Sequence, residues 1–561
     1  MKQKDLTGRP NLIQHGRGTG PLRTRRPIYM DFLPPCNDAC PAGENIQAWL
    51  ALAQDGQYHA AWQSLIENNP FPAIHGRVCY HPCEQGCNRN HTDNTVQIHA
   101  VERFLGDLAL EEGWTPAFDM PKGGGRVLIV GAGPSGLSAA YHLRRMGHEV
   151  EIREAGPVAG GMIHFGIPAY RMPRKELNAE IKRVEDMGVK FTLNHRVDHL
   201  LKEKEEGGFD AVFVAIGAHI SKKINIPARE AGKMLDAVTF LREAYSDNPP
   251  KIGRRVAIYG GGNTAMDAAR TAKRLGAEEA LIIYRRDRDN MPAHDFEAEE
   301  ALEEGVKIKW LRTIKEIDED HLRVEVMELD EQGRPHPTGK YEDLEADALI
   351  MAVGQEADTR FLRNVPGIEF NRDGTVIVAD NMMTGSEGIF AGGDMVPSER
   401  SVTNAVGHGK KAARHINAYL RNTIYRPPPR HPVIGYEHLH LWFRTDAPAQ
   451  QQPELPVPER IDNFDEIVKG LSEAEARYEA QRCLSCGNCF ECDGCYAACP
   501  EGAIIKLGKG KRYRYDYDLC TGCAVCFEQC PCHAIEMIPE PGLDSGEQAV
   551  PGAARNEGGM S

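Results

Sequence analysis

Sixteen cysteines mark where redox chemistry can sit in this 561-residue chain, and they gather at its two ends: five between Cys36 and Cys87, eleven between Cys483 and Cys532. In the C-terminal group Cys489, Cys492, Cys495 and Cys499-Pro500 follow the spacing C-x2-C-x2-C-x3-C-P, and Cys520, Cys523, Cys526 and Cys530-Pro531 repeat it. A doubled run of this kind suits two [4Fe–4S] clusters, the fourth cysteine of each run serving the other cluster. The expected sets are Cys489, Cys492, Cys495 and Cys530 for one centre, and Cys520, Cys523, Cys526 and Cys499 for the other. Zinc is the competing occupant of C-x2-C pairs, and the doubled Cys-Pro ending speaks against it.

The cysteine-free middle carries two glycine turns. In "VLIVGAGPSGLSAAYHLRRMG", Gly131, Gly133 and Gly136 stand in G-x-G-x-x-G spacing after a buried strand and before a helix, with Pro134 and Ser135 in the turn and Glu154 at the end of the next apolar strand. Glycines so placed permit the tight turn, the approach of a pyrophosphate and close helix packing, while the acid accepts from ribose hydroxyls. In "VAIYGGGNTAMDAARTAKRLG" the pattern recurs with Gly260, Gly261 and Gly262, then Asn263 and Thr264, but the following strand ends in Tyr284, Arg285 and Arg286. Arginines there pair with a 2′-phosphate, which favours NADP(H) over NAD(H); the alternative is a solvated strand end. Downstream, "GIFAGGDMVPSERSVTNAVGHG" resembles the closing motif of two-dinucleotide flavoproteins. That resemblance implies Gly393 and Asp394 at the ribityl chain of FAD and a helix, opening near Thr403, Asn404 and Ala405, whose positive end faces the flavin ring.

These sites must be positioned by several folding units, since at roughly 150 residues per domain the length allows three or four. The expected class is a multidomain α/β chain: a helical iron–sulfur domain, two Rossmann-like dinucleotide-binding domains with the NAD(P) unit inserted in the FAD unit, and a bacterial-type two-cluster ferredoxin domain. By residue, the reading is a flexible basic arm (1–30), helical iron–sulfur domain (31–120), first FAD half (121–245), NAD(P) domain (246–355), second FAD half (356–423), Pro- and Gln-rich linker (424–480), ferredoxin domain (481–540) and disordered tail (541–561). Against 81 acidic side chains stand 66 basic ones, a net charge of −15. Such a balance argues against nucleic-acid binding, which wants a basic face. No apolar run reaches the roughly 18–20 residues of a membrane span. Packed C-x2-C pairs and the lack of a secretory leader point to reduced thiols and a cytoplasmic setting.

"CNDACPAGENI", "GRVCYHPCEQGC", "GGMIHFGIPAYRMPRKE", "GGGNTAMD" and "YRRDRDNMPA", in that order, make the stretch from about 30 to 420 resemble the small subunit of glutamate synthase, with dihydropyrimidine dehydrogenase and the large subunit of a bifurcating transhydrogenase as relatives. The resemblance adds Gly161 and Met162 to the FAD set. It implies a flavin-proximal cluster on Cys40, Cys79 and Cys83 with Glu102 as fourth ligand. The family's first C-x-x-C is missing here, leaving Cys36 and Cys87 as half a site. The segment "EAEARYEAQRCLSCG" resembles the one that precedes the N-terminal clusters in relatives, so Cys483 and Cys486 are expected to complete the centre with Cys36 and Cys87. That makes four clusters and leaves Cys532 over; the alternative is four free thiols and three clusters.

The functional expectation is an electron wire from NADPH or NADH through FAD to the clusters and on to a partner oxidoreductase subunit or ferredoxin, with a 2-oxoacid oxidoreductase complex as the favoured kind of partner. No catalytic side chain is expected, since hydride transfer to a flavin asks for position more than for an acid or base. The alternatives are the small subunit of a glutamate synthase and a non-catalytic redox sensor or scaffold.

Overall fold

The computed structural model describes residues 23–121, 123–222, 226, 233–246, 248–318, 320–442, 444–508 and 510–541. Most of the expected basic arm and nearly all of the expected disordered tail lie outside these residues.

Two parallel five-stranded sheets form the centre. The first runs in the order Ile389–Ala391, Ala211–Val214, Arg126–Val130, Glu149–Arg153, Lys190–Thr192. Its central strands are near-continuous apolar runs because helices cover both faces. Helix Pro134–Arg145 buries Leu137, Ala140, Tyr141 and Leu143 there, and helix Val402–Leu420 packs alongside it. The second sheet has the order Lys307–Lys309, Glu279–Ile283, Arg255–Tyr259, Ala348–Met351, Lys233–Asp236. A short antiparallel pair, Ile220–Ser221 with Gln355–Glu356, joins the two units where the chain leaves one and returns. The insert therefore starts before Lys233 and not at residue 246: strand Lys233–Asp236 and helix Ala237–Glu243, capped by the Asp236 carboxylate, belong to the second sheet. The brevity of that edge strand, "KMLD", hid it from a reading by apolar periodicity.

Helices Ile46–Gln54, Tyr58–Ile66 and Ile98–Glu111 form the N-terminal unit around fully buried Trp49 and Trp62. Helix Glu473–Gln481 docks on them, its start fixed by a capping box of Ser472 and Glu475, and Ala480 enters the same core as Cys36 and Cys83. The residues expected to form a linker, 424–480, end in that helix and before it are mostly irregular but packed. Leu33 bridges Val433, Ile434 and Leu439 are buried, and Glu454 bridges Val468.

The expected basic arm is corrected over its last residues. Arg25–Tyr29 is a strand, antiparallel to Ile535–Pro539 at the far end of the chain. Arg23 donates to both Glu540 carboxylate oxygens and to the carbonyls of Tyr517 and Cys520. These arginines serve as partners for a distant segment, and nothing local in "RRPIY" announces that. The C-terminal cysteine unit is completed by this strand and by the hairpin Ile504–Lys506 with Tyr513–Tyr515. Among the described residues, no helix is long and apolar enough to cross a membrane.

Candidate functional site

One cavity of about 1160 Å³ runs between the two parallel sheets. It is lined by Gly131, Gly133, Pro134, Ser135, Glu154, Gly161, Met162, Gly393, Asp394 and Ala405 on one side and by Gly260, Gly261, Gly262, Asn263, Thr264, Arg285 and Arg286 on the other. Both glycine turns thus open into the same space, at the carboxyl ends of their strands, as expected for ligand sites in open parallel sheets. Gly131 has φ +106°, and a Cβ there would lie 2.5 Å from the Ala215 carbonyl oxygen. Gly136 does not line the cavity; a Cβ there would meet the Gly131 oxygen at 2.1 Å, so it serves close packing. A Cβ added to Gly262 would have nothing within 4 Å, which leaves a cradle for a phosphate. The Glu154 carboxylate is already aimed, accepting from the N–H groups of Ala132 (2.8 Å) and Gly156 (2.7 Å). Burial pushes the Asp394 carboxyl up to about 6, while Arg400 acts the other way.

On the nicotinamide side, Arg285 is exposed and Arg286 half-buried, with its Nε finding no hydrogen-bond partner among the described residues. An unsatisfied guanidinium nitrogen beside a cavity fits a phosphate. The Asn263 side chain is spent on protein contacts: it donates to the Tyr80 hydroxyl (2.6 Å) and accepts from the His294 N–H (3.0 Å). Arg171, from the flavin half, donates to both oxygens of Asp267 (2.9 Å each) and to Glu297 (2.6 Å) in the insert, clamping the two units together. Burial nonetheless pushes Glu297 up to about 7. Sequence reasoning missed Arg171 and Tyr80. Both lie within motifs that carry the family resemblance, "GGMIHFGIPAYRMPRKE" and "GRVCYHPCEQGC", which was the available signal; the stacking of Tyr80 on His294 at 3.8 Å is encoded by no local pattern.

The helix Val402–Leu420 opens on the cavity, its first turn capped by Ser401 Oγ on the Asn404 N–H. Besides Gly136, two residues expected at the flavin do not line the cavity. The Asn404 side chain donates back to Ser401 Oγ (2.9 Å), and the Thr403 hydroxyl donates to Cys79 Sγ (3.0 Å).

The cysteines fall into groups. Cys40, Cys79 and Cys83 lie near one another, the first two beside Glu102 and Glu44; burial pushes each thiol up, and the neighbouring acids and sulfurs add to it. Glu102 is held through Asn69, whose amide donates to it (2.7 Å) and to Glu44 (2.9 Å). Burial raises both carboxyls, Glu102 far above its usual range and Glu44 to about 7. To ionise as ligands, buried acids and thiols need positive charge nearby; Lys410, bonded to the Ala42 and Gly43 carbonyls and near Cys40 and Glu44, supplies one, and iron ligated there would supply the rest. Cys36, Cys87, Cys483 and Cys486 line one small cavity, although the two pairs come from opposite ends of the chain. Cys499, Cys520, Cys523 and Cys526 line another, and Cys489, Cys492 and Cys495 each lie close to Cys530. The crossed pairing of the two runs is thus present in three dimensions. Cys532 sits behind Cys530, Sγ to Sγ 3.8 Å, and close to Cys489 and Cys492 as well, a fifth cysteine beside that group. Every cysteine is free of disulfide bonds, as thiolate ligands must be.

Residues 125–409 match the pyridine nucleotide-disulphide oxidoreductase family, 31–114 match dihydropyrimidine dehydrogenase domain II with its 4Fe-4S cluster, and 513–536 match a 4Fe-4S binding domain. The chain is 34% identical over 525 residues to the NADP(+)-dependent formate dehydrogenase subunit beta of Moorella thermoacetica, covering 85% of this chain and 74% of that one. It is 34% identical over 507 residues to the NADPH-Fe(3+) oxidoreductase subunit beta of Geobacter sulfurreducens, covering 81% and 75%. With the glutamate synthase [NADPH] small chain of Azospirillum brasilense it shares 33% identity over 428 residues, covering 70% and 88%. The chain belongs to the family of FAD- and pyridine-nucleotide-dependent iron–sulfur oxidoreductases that includes the glutamate synthase small chain.

Proposed function

We propose that the chain is the NADPH-linked electron-entry subunit of a cytoplasmic multi-subunit oxidoreductase, carrying FAD and four [4Fe–4S] clusters. The observation that carries the reading is the cavity shared by both glycine turns, flanked at Val78 and Tyr80 by the segment that holds Cys79. Bound FAD would supply the exchange between one two-electron hydride and the single electrons that iron–sulfur centres carry. The protein's own part is placement. Glu154 and Asp394 hold ribose and ribityl hydroxyls, the two glycine turns seat the pyrophosphates, and Arg286 with Arg285 selects the 2′-phosphate. The Arg171 clamp fixes the insert against the flavin unit. From Cys79 the cysteine groups lead through the Cys36, Cys87, Cys483, Cys486 cavity to the C-terminal pair, where Cys492 and Cys523 are exposed. That exposed end is the exit to a partner subunit, with a 2-oxoacid oxidoreductase one candidate and formate- or iron-linked subunits, as in the named relatives, others. The doubled cysteine run favours this over a glutamate synthase small chain, because the Azospirillum match covers only 70% of this chain.

The test is an anaerobic titration of the purified chain with NADPH and, separately, NADH, following flavin absorbance and cluster paramagnetic resonance. Bleaching of both chromophores by NADPH supports the wire. A flavin that neither nucleotide reduces refutes it.

A further inference from the structure

The first turn of helix Val402–Leu420 is where the dinucleotide cavity and the nearest cysteine group meet. Thr403 is 4% exposed. Its neighbours Val402 and Ala405 line the cavity, while its own hydroxyl turns away and donates to Cys79 Sγ at 3.0 Å. The hydroxyl is not needed as a cap, since Ser401 Oγ already takes the Asn404 N–H at 3.1 Å. On the other side of the contact, Cys79 is flanked by Val78 and Tyr80, both of which line the cavity, and its sulfur also accepts from the His81 N–H at 3.4 Å. One residue therefore spans the wall between the flavin helix and the sulfur of Cys79.

We propose that Thr403 is a positioning residue for the cluster on Cys40, Cys79 and Cys83, setting that cluster's reduction potential through its hydrogen bond to the Cys79 sulfur. The inference rests on Cys79 being a cluster ligand. An O–H donor aimed at a ligand sulfur stabilises the added negative charge of the reduced cluster, so the bond favours electron arrival from the flavin side. One charge-assisted hydrogen bond corresponds to a factor of about ten in a one-electron equilibrium, which is about 59 mV. The effect is confined to one cluster because the hydroxyl is directed at a single sulfur.

The experiment is a potentiometric titration of the anaerobically purified holoprotein, read by cluster paramagnetic resonance, on wild type, Thr403→Val, Thr403→Ser and Cys79→Ser. Thr403→Val keeps the shape and loses the donor; it is expected to make one cluster about tenfold harder to reduce while the flavin and the other clusters keep their potentials. Thr403→Ser restores the donor and is expected to return the potential to wild type. Unchanged cluster potentials in Thr403→Val, or a shift in the flavin alone, overturn the proposal. Cys79→Ser separates the two layers: full iron content and an unaltered set of cluster signals in that variant would sink the ligand reading itself.

Discussion

Removal of Arg286 is the perturbation whose size follows most directly from the structure. Arg286 is half-buried, lines the cavity at the end of the strand after the second glycine turn, and has an Nε without a partner among the described residues. Arg285, its neighbour, is exposed to solvent. A hydrogen bond to a charged group in a partly desolvated site contributes about 1.5–3 kcal/mol, whereas an exposed ion pair contributes about 0.2–1 kcal/mol. Arg286→Ala should therefore lower kcat/KM for NADPH by about 30-fold, from about 2 kcal/mol, and Arg285→Ala by about 5-fold or less. NADH lacks the 2′-phosphate, so its kcat/KM should change by less than about 2-fold in either variant. Steady-state reduction of an artificial electron acceptor, run with both nucleotides, gives all four numbers. Parallel losses with NADPH and NADH would mean that the arginines shape the cavity and do not read the phosphate; a larger loss at Arg285 would contradict the burial argument.

Cys483→Ser and Cys486→Ser should each lower iron and acid-labile sulfide by about one quarter, as loss of one [4Fe–4S] cluster among four requires; unchanged content would leave those thiols free. Gly262→Ala should fold and retain flavin while losing NADPH affinity, because its methyl meets nothing in the protein, whereas Gly260→Ala, whose Cβ would lie 2.2 Å from the Ala352 oxygen, should lower thermal stability; equal melting temperatures for the two would refute the contrast. For Asp394 the folded carboxyl is raised to about 6 by burial, so the flavin-free fold binds this proton more tightly than the unfolded chain does. Its ionisation costs stability above that pH, and the cost is relieved on acidification towards the ordinary carboxylate pKa near 4. Melting of flavin-free Asp394→Asn should accordingly show a flatter pH dependence between pH 4 and about 6–7 than wild type, and an identical slope would rule the group out.

Much of the site was legible because its chemistry is local. A G-x-G-x-x-G turn needs its glycines next to one another, and Gly131, Gly136 and Glu154 sit as that pattern requires. The crossed cysteine runs were legible for the same reason. Cys36 and Cys87 could be joined to Cys483 and Cys486 only through family likeness; helix Glu473–Gln481 carries Cys483 into the helical core, and Cys486 lines the same small cavity as the first pair. Side-chain direction was the part that sequence could not carry. Thr403 and Asn404 lie at the expected helix start, yet the first turns its hydroxyl to a sulfur and the second folds back on its cap. The edge strand Lys233–Asp236 and the strand Arg25–Tyr29 were missed because both are short and take their partners from far along the chain.

The pairing of Arg25–Tyr29 with Ile535–Pro539 also orders events during biosynthesis. The first of these strands leaves the ribosome well ahead of the second; Arg23 and Glu540, which close the pair, are 517 residues apart. At about 5–20 residues per second the early strand waits roughly half a minute to two minutes for its mate. The Cys36, Cys87, Cys483, Cys486 cavity waits almost as long, whereas Cys40, Cys79 and Cys83 are all made before Cys87. Metal delivery to this chain would then proceed in two waves, the first open once Glu102 has been made and the second only after Cys486.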